Sequence, residues 1–321
     1  MKNILITGAL GQLGSELALV LKKQYSNERV VLVDIRDDIN SDLIKSGPFY
    51  ISDCRDKEKI TKIVETHNID TIFHLAAILS AKGESNPSLA WDININGLTT
   101  ILEVAKNYNC SVFTPSSIGA FGESTPKDLT PQVTIQRPCT IYGISKVAGE
   151  LLCDYYHCKY GLDTRGVRFP GIISYLTPPG GGTSDYAIEI FYHAIRDKKY
   201  VCPIKADTYM DMLYIDDAIK AIVDLMEEDP SNLKHRNAYN ITAMSFTPEQ
   251  IANEIKKHIP EFVIEYDVDP IRQSIADSWP NKLDDSEARE QWSYKPYYNL
   301  ETMVDEMLFK ISRRIKHDQA S

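Results

Sequence analysis

Near its start the chain reads Asn3-Ile4-Leu5-Ile6-Thr7-Gly8-Ala9-Leu10-Gly11-Gln12-Leu13-Gly14, a short apolar run followed by glycines at intervals of three. The apolar run predicts a buried β-strand, and the leucines at 13, 17 and 21 predict a helix after it. Glycines between the two allow a tight turn and let backbone amides approach a phosphate at the positive end of the helix. This stretch therefore predicts a strand–turn–helix unit that binds a pyrophosphate.

A second apolar strand ends in Asp34, twenty residues past Gly14. A carboxylate at this place can accept hydrogen bonds from the ribose of a dinucleotide. Arg36 follows two residues later and leaves the choice of cofactor open, because an arginine can pair with a ribose phosphate or stack on adenine.

Strand and helix patterns alternate through the first half of the chain. Strands are predicted at residues 3–7, 30–34, 49–51, 71–75, 111–115 and 164–169, and helices at 57–66, 89–108 and 139–160. This alternation predicts an α/β fold with a Rossmann-type, doubly wound parallel sheet. Residues 1–170 are expected to form the cofactor domain, with 210–242 rejoining it. Residues 171–209 and 243–321 are expected to form a smaller C-terminal substrate lobe.

The composition restricts the class of partner and the compartment. The chain has 321 residues, 43% of them hydrophobic, and a net charge of -10, which argues against a nucleic acid or an anionic membrane as partner. The six cysteines show no metal-ligand spacing, so no metal is expected, and free thiols fit a reducing compartment. We expect a cytoplasmic protein, or one of the mitochondrial matrix whose leader was removed.

Tyr142 and Lys146 are four residues apart in the predicted helix 139–160 and therefore share one face. An ammonium close to a phenol favours the phenolate and lowers the tyrosine pKa. Such a tyrosine can act as a general base near neutral pH. The alternative is a chance pair of surface side chains.

Five further polar positions lie near predicted strand ends or in helices. Ser116 and Ser117 either orient a substrate alcohol or cap a turn. Asp53 either accepts from the adenine amino group or caps a helix. His74, on an apolar run, is expected to be a core histidine, while Asn94 is unfavourable inside a helix and predicts a polar role.

Together, the glycine turn, Asp34, the serine pair and Tyr142-Gly143-Ile144-Ser145-Lys146 resemble the extended short-chain dehydrogenase/reductase family. The resemblance spans nearly the whole chain and implies that Ser117, Tyr142 and Lys146 form the catalytic group. It also implies that NAD is the cofactor, since Asp34 would repel the ribose phosphate of NADP. The residues expected to contact NAD are Gly8, Gly11, Gln12, Leu13, Gly14, Asp34, Ile35, Arg36, Asp53, Cys54, Leu75, Ala76, Ala77, Asn94, Tyr142, Lys146 and Ile172.

Most members of the family act on nucleotide sugars, and this chain departs from them twice. Met210 stands where those enzymes carry an arginine for the diphosphate, and Pro170 stands where they tend to carry asparagine. A thioether cannot make the charge-assisted contacts that phosphates require. Both departures favour a smaller substrate. The loop 178–186, rich in proline and glycine, predicts a lid that closes over it.

The strings around Gly182 and Trp279 are similar to those of family members that oxidise threonine. This resemblance implies L-threonine as substrate, oxidised at its 3-hydroxyl, and a homodimer as in many relatives. The residues expected to contact the substrate are Ser80, Ser117, Tyr142, Thr183 and Trp279. Two alternatives stay open, a nucleotide-sugar epimerase or dehydratase and a non-catalytic NAD-sensing regulator.

Overall fold

The computed structural model describes residues 1–37, 42–176 and 182–320, with side chains through residue 315. In chain order the strands are β1 (Ile4–Thr7), β2 (Val30–Asp34), β3 (Phe49–Ile51), β4 (Thr71–His74), β5 (Ser111–Phe113), β6 (Ser116–Ser117), β7 (Thr164–Arg165), β8 (Val167–Phe169), β9 (Gly171–Ile173), β10 (Lys199–Cys202), β11 (Met210–Tyr214), β12 (Tyr239–Asn240), β13 (Met244–Phe246) and β14 (Val263–Tyr266). The helices are α1 (Gln12–Tyr25), α2 (Asp42–Lys45), α3 (Lys57–His67), α4 (Ser80–Ser85), α5 (Pro87–Trp91), α6 (Gly97–Tyr108), α7 (Ile141–Tyr160), α8 (Tyr186–Arg196), α9 (Ile215–Glu227), α10 (Pro248–Lys256), α11 (Pro270–Ser278), α12 (Ser286–Trp292) and α13 (Leu300–Ala320).

The centre of the fold is a six-stranded sheet in the order β3-β2-β1-β4-β5-β7, in which all neighbouring strands are parallel. The strand order reverses between β1 and β4. In such sheets the loops at the carboxyl ends diverge at this point and leave a crevice for a ligand. The predicted α/β class with a Rossmann-type parallel sheet is confirmed.

Each face of the central sheet has its own hydrophobic core. Side chains alternate along a strand, so Ile4 and Ile6 of β1 point to one face and Leu5 points to the other. The core around Leu5 draws its residues from positions 5–162 and includes α3 and α6. The core around Ile4 and Ile6 also takes in residues up to Ile311 of α13. The two faces are therefore completed by different parts of the chain.

Two predicted elements are interrupted in the structure. The predicted strand 164–169 divides at Gly166, whose amide donates to the Arg236 carbonyl (2.8 Å), so that β7 stays in the central sheet while β8 pairs with β6 and β12. A side chain at Gly166 would lie 2.5 Å from the Thr114 carbonyl oxygen, so the division requires glycine. The predicted helix 89–108 contains a π-helical turn, Asp92–Asn96, between α5 and α6.

The later part of the chain forms smaller sheets and a helical layer. β11 pairs parallel with β9 and antiparallel with β13, and β10 pairs parallel with β14. Helices α8, α10 and α13 pack against one another. β12 joins β8 beside the central sheet. The division of the chain into a cofactor domain and a substrate lobe stays a prediction, since one hydrophobic core spans both parts.

Neither a membrane span nor a metal cluster is found in the described ranges. No helix there is both long and apolar enough to cross a bilayer. Among the same residues, no three His, Cys, Asp or Glu side chains are grouped so as to hold a metal ion.

Candidate active site

A cleft with about 240 Å³ open to water-sized molecules lies at the carboxyl ends of β1 and β4, at the point where the strand order reverses. It brings together most of the residues predicted from the sequence. The predicted residues that line it are Gly8, Gly11, Gln12, Leu13, Gly14, Leu75, Ala77, Ser80, Ser117, Tyr142, Lys146, Ile172, Thr183 and Trp279. The predicted residues outside its lining are Asp34, Ile35, Arg36, Asp53, Cys54, Ala76 and Asn94.

The turn between β1 and α1 is shaped for close approach of another backbone. Gly8 has a φ of +69°, and a side chain there would lie 2.6 Å from the Ala76 amide nitrogen. A side chain on Gly14 would overlap the carbonyl oxygen of Gly8. Gly11 precedes α1 and has no side chain to cap it, so the first amides of the helix face the cleft side without a capping group. These features fit a bound pyrophosphate.

Asp34 is held as a carboxylate at the end of β2. It accepts from the Leu10 amide (2.9 Å) and from the backbone and side chain of Arg36 (both 3.1 Å). Burial raises the pKa of Asp34, but the hydrogen bonds from Arg36 and Leu10 outweigh burial and hold it below its usual value. Arg36 is therefore engaged by Asp34, while the neighbouring Ile35 is exposed at the surface.

Asp53 does not cap the helix that follows it, because Asp56 is the N-cap residue of α3. The Asp53 carboxylate instead accepts from the Arg55 backbone amide (2.9 Å) and guanidinium (3.0 Å). Arg55 also pairs with Asp92. The Cys54 side chain is buried, and its burial raises the thiol pKa to about 12. The Cys54 thiol is thus withdrawn from any ligand at the surface.

Asn94 lies in the π-helical turn and holds the loop after β4. Its side-chain oxygen accepts from the Ile78 amide (2.8 Å), and its amide donates to the Ile78 carbonyl (3.1 Å) and to the Ser145 hydroxyl (3.1 Å). The polar role predicted for Asn94 is therefore, in this structure, to attach the wall of the cleft to α7. Its predicted contact with the cofactor stays a prediction.

Ser117, Tyr142 and Lys146 meet at one side of the cleft. Ser117 ends β6, where its hydroxyl accepts from the Gly119 amide (3.1 Å) and also acts to lower the pKa of Tyr142. Tyr142 lies in the first turn of α7, which begins because the Thr140 hydroxyl accepts from the Gly143 amide (3.0 Å). The Lys146 ammonium is one turn further on, 5.4 Å from the centre of the Tyr142 ring.

The electrostatics of this pair differ from the expectation. Burial raises the pKa of Tyr142 above its usual value, although the Ser117 hydrogen bond opposes the rise. Lys146 does not lower it, because the ammonium donates to the Pro115 carbonyl (2.7 Å). Burial also lowers the pKa of Lys146 to about 8. In this structure, therefore, the phenol is protonated, and Lys146 holds its proton less tightly than an exposed lysine does.

His74 behaves as a core histidine, as expected. It is fully buried, its Nδ1 lies 2.8 Å from the Thr7 hydroxyl, and burial lowers its pKa to about 3. The histidine is therefore neutral and belongs to the packing of β4 against β1.

Three further residues predicted to contact the substrate also line the cleft, namely Ser80, Thr183 and Trp279. Thr183 is buried, and its hydroxyl has no hydrogen-bond partner among the described residues. Ser80 begins α4, and Trp279 forms part of the wall. Residues 178–181 of the predicted lid lie outside the described residues. Pro170 lines the cleft, whereas Met210 is buried on β11 and does not.

Sequence reasoning missed several residues of the site. Phe169, Ser184 and Asp185 line the cleft but belong to no spaced pattern. Glu150, in contrast, lies four residues after Lys146, and the same spacing that singled out Tyr142 would have found it.

A parallel sheet with a glycine turn at β1 and a Ser, Tyr and Lys group in its crevice defines an extended short-chain dehydrogenase/reductase, and this predicted resemblance is confirmed. The family described as NAD dependent epimerase/dehydratase matches residues 4–242, and the chain belongs to that family. An uncharacterized epimerase/dehydratase of Staphylococcus haemolyticus is 54% identical over 98% of this chain and 99% of its own length.

Solved structures of similar proteins carry a more specific description. An L-threonine dehydrogenase from Clostridium difficile is 57% identical, with a TM-score of 0.96 and 98% of each chain covered. A GalE-like L-threonine dehydrogenase from Cupriavidus necator, in its holo form, is 45% identical, with a TM-score of 0.93 over 96% of this chain and 99% of its own.

The glycine turn can be tested with a matched pair of variants. Gly8→Ala and Gly161→Ala both place a side chain at a positive φ, +69° and +67°, but only Gly8 has neighbouring atoms within reach. We expect Gly161→Ala to lose about 1 kcal/mol of stability from the positive φ alone, and Gly8→Ala to lose more, because its side chain would also meet the Ala76 backbone. Only Gly8→Ala should also weaken NADH binding, at least tenfold, in a fluorescence titration. Equal affinity in the two variants would contradict a cofactor role for the turn.

Proposed function

We propose that this protein oxidises the 3-hydroxyl of L-threonine to the ketone of 2-amino-3-oxobutanoate, with NAD⁺ as hydride acceptor. The observation that carries the proposal is the similarity to the Clostridium difficile L-threonine dehydrogenase, 57% identical over 98% of both chains. The chemistry of the cleft agrees with it, because the cleft combines a phenol, an ammonium and several hydroxyl groups in a small volume.

The cofactor would lie across the strand ends, where the fitting residues are. The amides at the start of α1 would hold the pyrophosphate, and Gln12 and Leu13 would contact it. Asp34 would accept from the adenosine ribose, and its negative charge would repel the ribose phosphate of NADP. Arg36 is paired with Asp34, so it does not offset this repulsion. When bound, NAD⁺ supplies the hydride acceptor and a positively charged ring.

Three side chains would take part in removing the hydroxyl proton of the substrate. Ser117 donates or accepts a hydrogen bond at the hydroxyl and fixes its orientation. Tyr142 takes the hydroxyl proton, which requires its phenolate form. Lys146 does not lower the Tyr142 pKa while its ammonium donates to the Pro115 carbonyl. Its positive charge, 5.4 Å from the centre of the Tyr142 ring, would favour the phenolate together with the positive ring of the cofactor.

The amino-acid headgroup would be held on the opposite side of the cleft. The buried Thr183 hydroxyl lacks a partner among the described residues and is available to the substrate. Leaving such a group unsatisfied costs free energy, which a ligand can recover. Ser80 would add a second hydroxyl, and Trp279 an apolar wall beside the threonine methyl group.

A nucleotide-sugar epimerase is the second candidate, since the family is described as epimerase/dehydratase. The charge of the cleft argues against it. Among the described residues that line the cleft, Lys146 is the only cationic one. A sugar diphosphate besides the cofactor would need further positive charge.

We also propose a homodimer through the outer faces of α5 and α7. These helices pack together and expose large apolar side chains, among them Leu89, Trp91, Leu151 and Tyr155. A cluster of exposed apolar residues on adjoining helices is typical of an interaction surface. A second copy of the chain can cover it by two-fold symmetry.

The central test measures NADH absorbance with L-threonine and NAD⁺. The wild-type protein should form NADH, and Tyr142→Phe should reduce kcat by roughly 10²- to 10⁴-fold, because the proton acceptor is lost. A UDP-hexose serves as the competing substrate. Activity on the sugar nucleotide without activity on threonine would support the epimerase, and NAD⁺ binding without turnover of either would support a regulator.

Thr183→Val tests the headgroup contact, since valine keeps the volume and removes the hydroxyl. We expect KM for L-threonine to rise roughly tenfold, the effect of one lost hydrogen bond to a charged group, with a small change in kcat. Ser184→Ala, at the neighbouring position in the lining, is the matched control. An unchanged KM in Thr183→Val would assign the headgroup to other residues.

Leu151→Lys tests the dimer, because Leu151 is 62% exposed on α7. A lysine there should convert the dimer to a monomer in sedimentation velocity. Phe309→Lys is the control, since Phe309 is 54% exposed on a different helix, α13. The proposed face would be wrong if Phe309→Lys dissociated the dimer and Leu151→Lys did not.

A further inference from the structure

Glu150 continues the row of side chains that carries the catalytic group. Tyr142, Lys146 and Glu150 follow one another at intervals of four along α7, so they lie on one face of the helix. Tyr142 and Lys146 line the cleft. Glu150 is buried directly behind Lys146, and both line a small internal cavity that does not include Tyr142.

The Glu150 carboxylate is fixed by donors on every side. Arg168 of β8 donates to both carboxylate oxygens, at 3.0 and 2.8 Å. Gln136 donates to one of them at 2.9 Å, and the Ser116 hydroxyl donates to the other. A carboxylate with this set of donors is held in one position.

These partners connect Glu150 to the groups that contact Lys146. Ser116 lies between Pro115, whose carbonyl accepts from the Lys146 ammonium, and Ser117 of the catalytic group. Arg168 precedes Phe169 and Pro170, which line the cleft. The carboxylate therefore fixes the strand end on which both the acceptor of Lys146 and the catalytic serine lie.

The charge of Glu150 acts on a group that burial disfavours. Burial lowers the pKa of Lys146 to about 8, and Glu150 is the main opposing influence, with Cys153 a lesser one. Of the other groups nearby, His74 is neutral and Asp154 lies further along α7. Arg168 is paired with Glu150 and would repel Lys146 if it were left alone.

We propose that Glu150 is a positioning residue of the catalytic group, whose fixed carboxylate keeps the buried Lys146 ammonium charged and orients it toward Tyr142. This inference rests on the proposed function for its effect on turnover. A purely structural ion pair between α7 and β8 is the competing explanation. The two differ because a structural pair would leave the titration of Lys146 unchanged.

The test follows the Lys146 titration by NMR of isotope-labelled lysine in the protein without cofactor, with Lys146→Met to assign the signal. In Glu150→Gln the titration midpoint should fall by about one pH unit, the size of effect expected from removing a nearby opposite charge. Gln136→Ala is the matched control, because it removes a hydrogen bond from Glu150 but no charge. The Gln136→Ala midpoint should stay at the wild-type value.

A second variant covers the case in which Glu150→Gln does not fold because Arg168 is left buried and unpaired. Glu150→Gln with Arg168→Met removes both charges and should also lower the midpoint, but less. An unchanged midpoint in whichever variant folds would overturn the inference.

The same variants in the threonine assay separate this inference from the proposed function. Turnover needs the Lys146 ammonium, so the alkaline limb of the pH–kcat profile should move to lower pH in Glu150→Gln, and Glu150→Asp should restore it in part. If the Lys146 midpoint falls in Glu150→Gln but the wild-type protein does not oxidise threonine, the proposed function is wrong and the inference stands. If the wild-type protein oxidises threonine but the midpoint is unchanged in Glu150→Gln, the proposed function stands and the inference is wrong.

Discussion

The site depends on the close approach of two backbones at the end of β1. Gly8 meets the Ala76 backbone at a distance that no side chain fits, and Gly14 packs α1 onto the same turn. Because α1 and the loop after β4 are fixed against each other there, the start of the helix faces the crevice where the strand order reverses. Asn94 then attaches the far end of that loop to α7. The start of α1 and the side of the cleft that carries Tyr142 and Lys146 are thereby held in one frame.

The side of the cleft that carries Tyr142 and Lys146 is buried, and burial disfavours the charged form of both side chains. Burial raises the pKa of Tyr142 and lowers that of Lys146 to about 8, so the phenol is neutral near neutral pH and the ammonium keeps its charge by a small margin. The hydrogen bond to the Pro115 carbonyl fixes the position of the Lys146 ammonium.

Local sequence patterns predicted the parts of this protein that local physics determines. The apolar run before Gly8, the acid at Asp34 and the spacing of Tyr142 and Lys146 each depend on a few neighbouring residues, and the structure has the corresponding strands and helices. Patterns could not predict the division at Gly166, which follows from a carbonyl brought close by the fold. Nor could they predict that Arg55 engages Asp53, or that Lys146 donates to a backbone carbonyl instead of the phenol.

The two hydrophobic cores have a consequence for how the chain is made. The core on the α3 and α6 face uses residues 5–162 alone, so it can close while the rest of the protein is still on the ribosome. The core on the other face needs partners as late as Ile311. During synthesis, the first side of the sheet can therefore be buried early. The core on the other side begins with α1 against β1 and is complete only when α13 has been made.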